Sequence, residues 1–149
     1  MSDLDFMRLA IAEAEKALVS RDVPIGAIAV YQGSVIGTGY NRREADLDPT
    51  AHAEMLAIRQ AAAHLHTWRL DGVTLYCTLE PCAMCAGAMV LARLPRLVYA
   101  AIDPKAGAAG SIVDICRHDK LNHRIDVQGG LMADEAGEQL KRFFRGLRR

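Results

Sequence analysis

The sequence predicts an α/β protein in which helices cover both faces of a single sheet, and three patterns carry that reading. Two apolar runs, Ile25 to Val30 and Val35 to Tyr40, meet at Gln32 and Gly33, as expected of a hairpin. Val73 to Cys77, the small and apolar run Cys82 to Ala92, and Leu97 to Ala101 read as strand, helix and strand with short connections. Such a unit calls for parallel neighbours with a right-handed crossover, so hairpin and crossover together imply a mixed sheet.

The remaining elements follow in order. Ser2 and Asp5 have the spacing of a capping pair, and Met7, Ala10, Ile11, Ala14, Ala17 and Leu18 then recur at helical intervals until Pro24. A polar stretch from Asn41 to Asp48 follows the hairpin. Asp48 before Pro49 is a helix-start signal and predicts a helix from there to about Ala63. The helix from Cys82 to Ala92 is apolar on nearly every side, which calls for a place deep inside or in a subunit interface. A second strand–helix–strand step is expected through Ile112 to His118 into Ile125 to Gln128, and a final helix from about Asp134 to Arg145.

Length and composition bound the function. A chain of 149 residues buries roughly 70% of the surface it exposes when unfolded, enough for one domain spanning residues 1–149. Lys and Arg total 18 and Asp and Glu 18, so no overall field marks a nucleic-acid or membrane binder. The terminal stretch from Lys141 to Arg149 is nonetheless basic throughout, and a polyanion is expected to meet that end. No run is long and apolar enough to span a bilayer, and the acidic start does not resemble a targeting segment. Cysteines at 77, 82, 85 and 116 do not form a secreted disulfide framework, so a reducing, cytoplasmic home is expected.

The chemistry concentrates at two expected helix starts: His52-Ala53-Glu54 and Glu80-Pro81-Cys82-Ala83-Met84-Cys85. Each half alone is a weak signal, since a lone Cys-x-x-Cys also fits a redox pair or two buried thiols. Together they are stronger, because helices following elements of one sheet bring their tips together. Cys82 and Cys85 share one face of a first turn, where the helix dipole favours thiolates. With His52 they form a borderline-soft donor set that selects zinc over magnesium or calcium. Three protein ligands leave a position for water, and zinc makes such a water a nucleophile near neutral pH. Glu54 is the expected proton carrier, although residues two apart on an ideal helix point about 200° away from each other.

H-x-E combined with P-C-x-x-C is the general signature of zinc deaminases acting on nucleobases, tRNA enzymes among its known instances. Around it stand Asn41, then Asp48-Pro49-Thr50-Ala51-His52-Ala53-Glu54, Thr78 to Met89, and Asp103-Pro104-Lys105-Ala106-Gly107-Ala108-Ala109-Gly110-Ser111. From the first helix to Phe144 and Arg145 the chain closely resembles the bacterial tRNA-specific adenosine deaminases of the cytidine deaminase superfamily. The resemblance implies a three-layer α/β/α sandwich with a five-stranded mixed sheet. It implies hydrolysis of adenosine to inosine at the wobble position of a tRNA anticodon by a homodimer. It further implies one zinc per subunit on His52, Cys82 and Cys85, with Glu54 as the catalytic proton shuttle. Asn41, Ala53, Asp103, Phe143, Phe144 and Arg145 would then bind the anticodon loop. Arg43, where relatives often carry proline, and Pro104 depart from the pattern and bear on the shape of the substrate loops.

Plainer roles remain open for several of these residues. Asn41 at a strand end is also an ordinary turn former, and Asp103 before proline an ordinary turn initiator. Gly107 to Gly110 is either a close approach to RNA or a flexible loop. Phe143 and Phe144, flanked by Arg142, Arg145 and Arg148, suit base stacking and phosphate pairing, or else a core contact with a solvated tail. His64, His66 and His118 are read as surface residues, and His123 as a possible neighbour of the site. The competing activities are deamination of a free base or nucleoside, a non-catalytic zinc module and a thiol redox protein.

Overall fold

The computed structural model describes residues 1–147; Arg148 and Arg149, part of the basic terminus, lie outside the described residues. The capping pair is present. Ser2 accepts from the Asp5 amide while Asp5 accepts from the Ser2 amide, opening α1 over Asp3–Glu15. A 3-10 turn extends it through Lys16–Ser20, and Arg21, in the left-handed region at φ 58°, ends the run ahead of Pro24.

The hairpin is β1 (Gly26–Tyr31) and β2 (Ser34–Tyr40). Gln32 and Gly33 both have positive φ, 50° and 78°, the turn whose twist matches the flanking strands. Then come α2 (Arg43–Asp46), α3 (Ala53–Leu65), β3 (Val73–Leu79), α4 (Ala83–Leu91), β4 (Arg96–Ala101), β5 (Asp126–Gly129) and α5 (Ala133–Leu147). The sheet order is β2-β1-β3-β4-β5. β1 is antiparallel to β2 and β3, and β4 is parallel to β3 and β5. This is the five-stranded mixed sheet of the cytidine deaminase-like class.

Strand alternation sorts the core into two layers. Ile28, Val30, Tyr76, Val98 and Ala100 pack with Phe6, Met7 and Ala10 of α1 and Ala136 of α5. Ala27, Ala29, Leu75, Cys77, Leu97 and Tyr99 face the other way, onto α3 and α4. The alanine-rich composition follows from how closely helices approach the sheet. At Gly39 a Cβ would strike the carbonyl oxygen of Ala53, so α3 begins almost in backbone contact with β2.

Three expectations are corrected. Asp48-Pro49 does not start a helix: the Asp48 carboxylate accepts from the Thr50 amide (2.8 Å) and hydroxyl (2.7 Å), closing a local turn, and the helix begins at Ala53. The polar stretch after Asn41 contains a short helix, α2, because the buried Asp22 carboxylate accepts from the amides of Glu44 (2.6 Å) and Ala45 (3.2 Å). Ile112 to His118 is not helical. It lies in a long connection of turns and one isolated bridge, Ala109 to Asp114, and β5 is reached without a crossover helix.

At the start of α1, Asp3 joins helix to sheet. It accepts from Arg96 Nη1 (3.0 Å) and Nη2 (2.6 Å) and from the Tyr76 hydroxyl (2.6 Å). The Arg96 hydrogen bonds first, then that of Tyr76, hold its carboxyl at about 2 instead of the ordinary 3.8. A depressed carboxyl contributes stability above its ordinary value and loses it as pH falls toward the folded one. Asp3 is about a third exposed, so solvent screening reduces the contribution. Asp3→Asn is expected to lower the unfolding free energy by about 1 kcal/mol at neutral pH, with the difference from wild type shrinking between about pH 4 and pH 2. Urea titrations across that range check it; a constant gap would refute the assignment.

Candidate metal and substrate site

His52 and Cys82 are both residues that precede a helix, not members of one. His52 caps α3 with extended backbone (φ −82°, ψ 150°), and Cys82 caps α4 in the same way (φ −75°, ψ 176°). Neither side chain caps its own helix, so both are free to turn toward each other. This removes the angular difficulty of the H-x-E spacing: with His52 outside the helix and Glu54 inside its first turn, the two side chains need not diverge by 200°.

The His52 Nδ1 atom stands 3.6 Å from Cys82 Sγ and 3.5 Å from Cys85 Sγ, and the three donor atoms lie within 4.8 Å of one another. Tetrahedral zinc, with Zn–S near 2.3 Å and Zn–N near 2.0–2.1 Å, sets nitrogen and sulfur about 3.6 Å apart. Both the donor set and its spacing therefore fit zinc. Neither Cys77, buried in β3, nor Cys116 joins the cluster, and among the described residues no fourth His, Cys, Asp or Glu does.

The electrostatics favour one thiolate, on Cys82, with Cys85 as its thiol donor. The hydrogen bond from Cys85 pulls the Cys82 thiol down to about 3, with His52 assisting against the cost of burial. The same contact, then burial, pushes the Cys85 thiol up. The Cys82 hydrogen bond raises the His52 imidazole against burial. Glu54 is only 4% exposed, and burial pushes its carboxyl up to about 7, although its own backbone amide opposes the rise. A carboxyl in that range exchanges protons readily at neutral pH.

These groups open into a cavity of about 430 Å³, lined also by Asn41, Ala53 and Asp103. That volume is within the range of small-molecule sites. Asn41 is buried and already engaged: its Nδ2 donates to the Val23 carbonyl (3.2 Å) and its Oδ1 accepts from the Arg43 amide (3.2 Å). Asp103 is a turn former as well as a wall residue, accepting from the amides of Lys105 (3.0 Å) and Ala106 (3.2 Å).

The terminal residues separate. Phe144 lines the cavity, and a shallow groove beside it is bordered by Lys105, Lys141 and Arg145. Phe143 lines a separate pocket with Glu15 at the end of α1, Leu18 of the 3-10 turn, Arg21 and Gln139 of its own helix. Arg145 is paired with Glu138 at 2.5 Å. His64, His66 and His118 are exposed. His123 does not border the cavity; its Nε2 lies 2.6 Å from the Leu94 carbonyl.

Three further residues here carry no side-chain role in the sequence motifs. Arg43 and Lys105 bring cations to the cavity wall, and each sits two residues along from a singled-out residue, Asn41 or Asp103. Glu80, within the cysteine motif, is 2% exposed and accepts hydrogen bonds from the Asp103, Ala109 and Ser111 amides. Burial raises its carboxyl, but the Ser111 hydroxyl and these amides outweigh that and leave it lowered.

Comparison with known proteins agrees with this geometry. The family model of MafB19-like deaminases matches residues 1–148. A tRNA-specific adenosine deaminase of Bacillus subtilis (strain 168) is 46% identical over 144 residues, covering 97% of this chain and 89% of that one. The chain belongs to the tRNA-specific adenosine deaminase family. A solved structure from work on A-to-I editing by tRNA:A34 deaminases at the wobble position superposes with TM-score 0.87 at 46% identity, covering 91% of this chain and 98% of that one. The Bacillus subtilis guanine deaminase, 34% identical, shares the fold at TM-score 0.68, covering 95% and 94%.

Exposure separates the four thiols. Cys82 is half-buried and acidic; Cys77, Cys85 and Cys116 are fully buried with raised thiols. After chelator treatment at about pH 5, a small alkylating reagent is expected to label Cys82 first and leave the other three until unfolding. Peptide mapping reads the outcome, and uniform labelling of all four would contradict it.

Proposed function

We propose that this protein hydrolyses adenosine at the wobble position of a tRNA anticodon to inosine, releasing ammonia, with the whole chain acting as one catalytic unit. The observation that carries the reading is a metal-fitting His-Cys-Cys trio and a buried carboxyl in one cavity, within a chain 46% identical to a tRNA-specific adenosine deaminase.

His52, Cys82 and Cys85 would hold one zinc per subunit. When bound, zinc supplies the Lewis acidity that makes water nucleophilic near pH 7. Glu54 takes one proton of the attacking water and gives it to the purine ring nitrogen N1, where inosine keeps it, then carries the second from the new C6 hydroxyl to the amine, which leaves as ammonia. Its burial suits both halves of that task, since a carboxyl raised to about 7 accepts and returns a proton at similar cost. Asn41 and Ala53 orient the extruded base, and the Asp103 loop forms the opposite wall. Phe144 offers a stacking face at the rim, while Lys105, Lys141 and Arg145 supply cations for the anticodon backbone. Phe143 supports that helix from its inner side.

A homodimer completes the reading. α4 buries Cys85, Ala86, Met89 and Val90 but turns Leu91 outward, 71% exposed, and a second copy covering that side would remove it from water. Work on tRNA calls for a cytoplasmic protein, and no helix of the described residues is long and apolar enough to cross a membrane.

Incubation with unmodified tRNA followed by nucleoside mass analysis is expected to show inosine at the wobble position, and free adenine, guanine or cytidine to release no ammonia. Turnover of guanine alone would favour the free-base reading instead. Glu54→Gln is expected to keep its zinc and lose at least about a hundredfold in kcat. Unchanged turnover would make the carboxyl a bystander.

A further inference from the structure

The connection from β4 to β5 runs through residues 102–125 with no helix of its own. Stretches of that length without regular structure are uncommon inside compact domains and are commonly functional. One side chain orders the first half. Glu80 Oε1 accepts from the Asp103 amide (3.0 Å) and the Ser111 hydroxyl (2.5 Å), and Oε2 from the amides of Ala109 (3.0 Å) and Ser111 (3.1 Å). At Gly107 a Cβ would strike the Glu80 carboxylate, so the backbone wraps directly around it. The Ala108 amide adds a bond to the Pro81 carbonyl (2.8 Å).

The segment so anchored is one wall of the cavity. Ile102, Asp103, Pro104, Lys105 and Ala106 line it together with His52, Glu54 and Cys82. Glu80 stands two residues before Cys82, so one short stretch fixes both the metal donors and the distance to the wall. A buried carboxylate with four donors is a rigid clamp, because each donor would otherwise need another partner.

We infer that Glu80 is a positioning residue for the RNA substrate: its carboxylate holds residues 102–111 at a fixed distance from the metal donors, so docking of the anticodon loop depends on it while the chemical step does not. This rests on the tRNA reading above. A merely structural role would instead loosen the whole sheet.

The test uses the full-length, zinc-loaded protein. In Glu80→Gln one oxygen still accepts, while the other position becomes an NH2 donor facing two of the four donors. Zinc content is expected to stay at one per chain, and hydrogen exchange to rise at residues 103–111 without rising across β1, β3 and β4. KM for an anticodon stem-loop is expected to rise about tenfold while kcat stays within about threefold. Glu80→Asp, which keeps the charge on a shorter stem, is expected to recover part of the KM. An unchanged KM, a kcat loss at constant KM, or exchange spreading through the sheet would overturn the inference. Should Glu80→Gln fail to fold, Ser111→Ala removes one hydroxyl only, and its KM is expected to rise at least about twofold; no rise would overturn the inference. Wild-type protein inert toward every stem-loop would remove the tRNA reading, while the exchange pattern still reports whether Glu80 orders the wall.

Discussion

Two peptide segments reach the same point because each becomes a helix only one residue after its donor. Extended backbone at His52 and at Cys82 turns a nitrogen and a sulfur toward each other to 3.6 Å, and Cys85 follows from the first turn of α4. That convergence constrains the elements around it. β1 and β3 must lie side by side, α3 must approach β2 closely enough to require Gly39, and β3 must run straight into α4. A small shift of either helix along its axis would separate donors whose spacing now suits one tetrahedral ion.

The parts of this arrangement that were legible in the sequence are those encoded locally. The capping pair of Ser2 and Asp5 and the turn at Gln32-Gly33 depend on neighbours a few residues away, and the structure has both; α4 is helical as expected but buries one side only, through Cys85, Ala86, Met89 and Val90. The convergence of His52, Cys82 and Cys85 was legible for a different reason: two short motifs, each weak, had to fall at adjacent helix starts. The failures have the opposite character. Asp48-Pro49 carries a sound helix-start signal, but Thr50 satisfies the carboxylate first and the helix waits until Ala53. α2 exists because Asp22, more than twenty residues upstream, supplies the acceptor its amides lack. The roles of Asn41 and Glu80 depend likewise on partners distant in sequence, where spacing and periodicity carry no information.

Asp22 and Glu80 make a pair in this respect. Each is buried almost completely, and each accepts from backbone amides of a distant segment, α2 for Asp22 and the connection after β4 for Glu80; Arg43 of the one and residues 102–106 of the other line the cavity. The metal donors are set by the sheet and its helices, whereas the walls are set by loops fastened at single points. The Bacillus subtilis guanine deaminase shares the fold at 34% identity, as such a division allows: a common frame can carry different walls.

Asn41 shows what such fastening means for recognition. One of its amide hydrogens is committed to Val23 and one lone pair to Arg43, which leaves a single donor and a single acceptor direction still open. A side chain tethered at both ends cannot swivel its amide to suit whatever arrives. In the proposed reaction an incoming ring would have to present its own acceptor and donor in the complementary order, and a ring with the reversed order would meet two like poles instead. Selectivity of this kind comes from stiffness, and its entropy cost is met during folding, before any ligand is present.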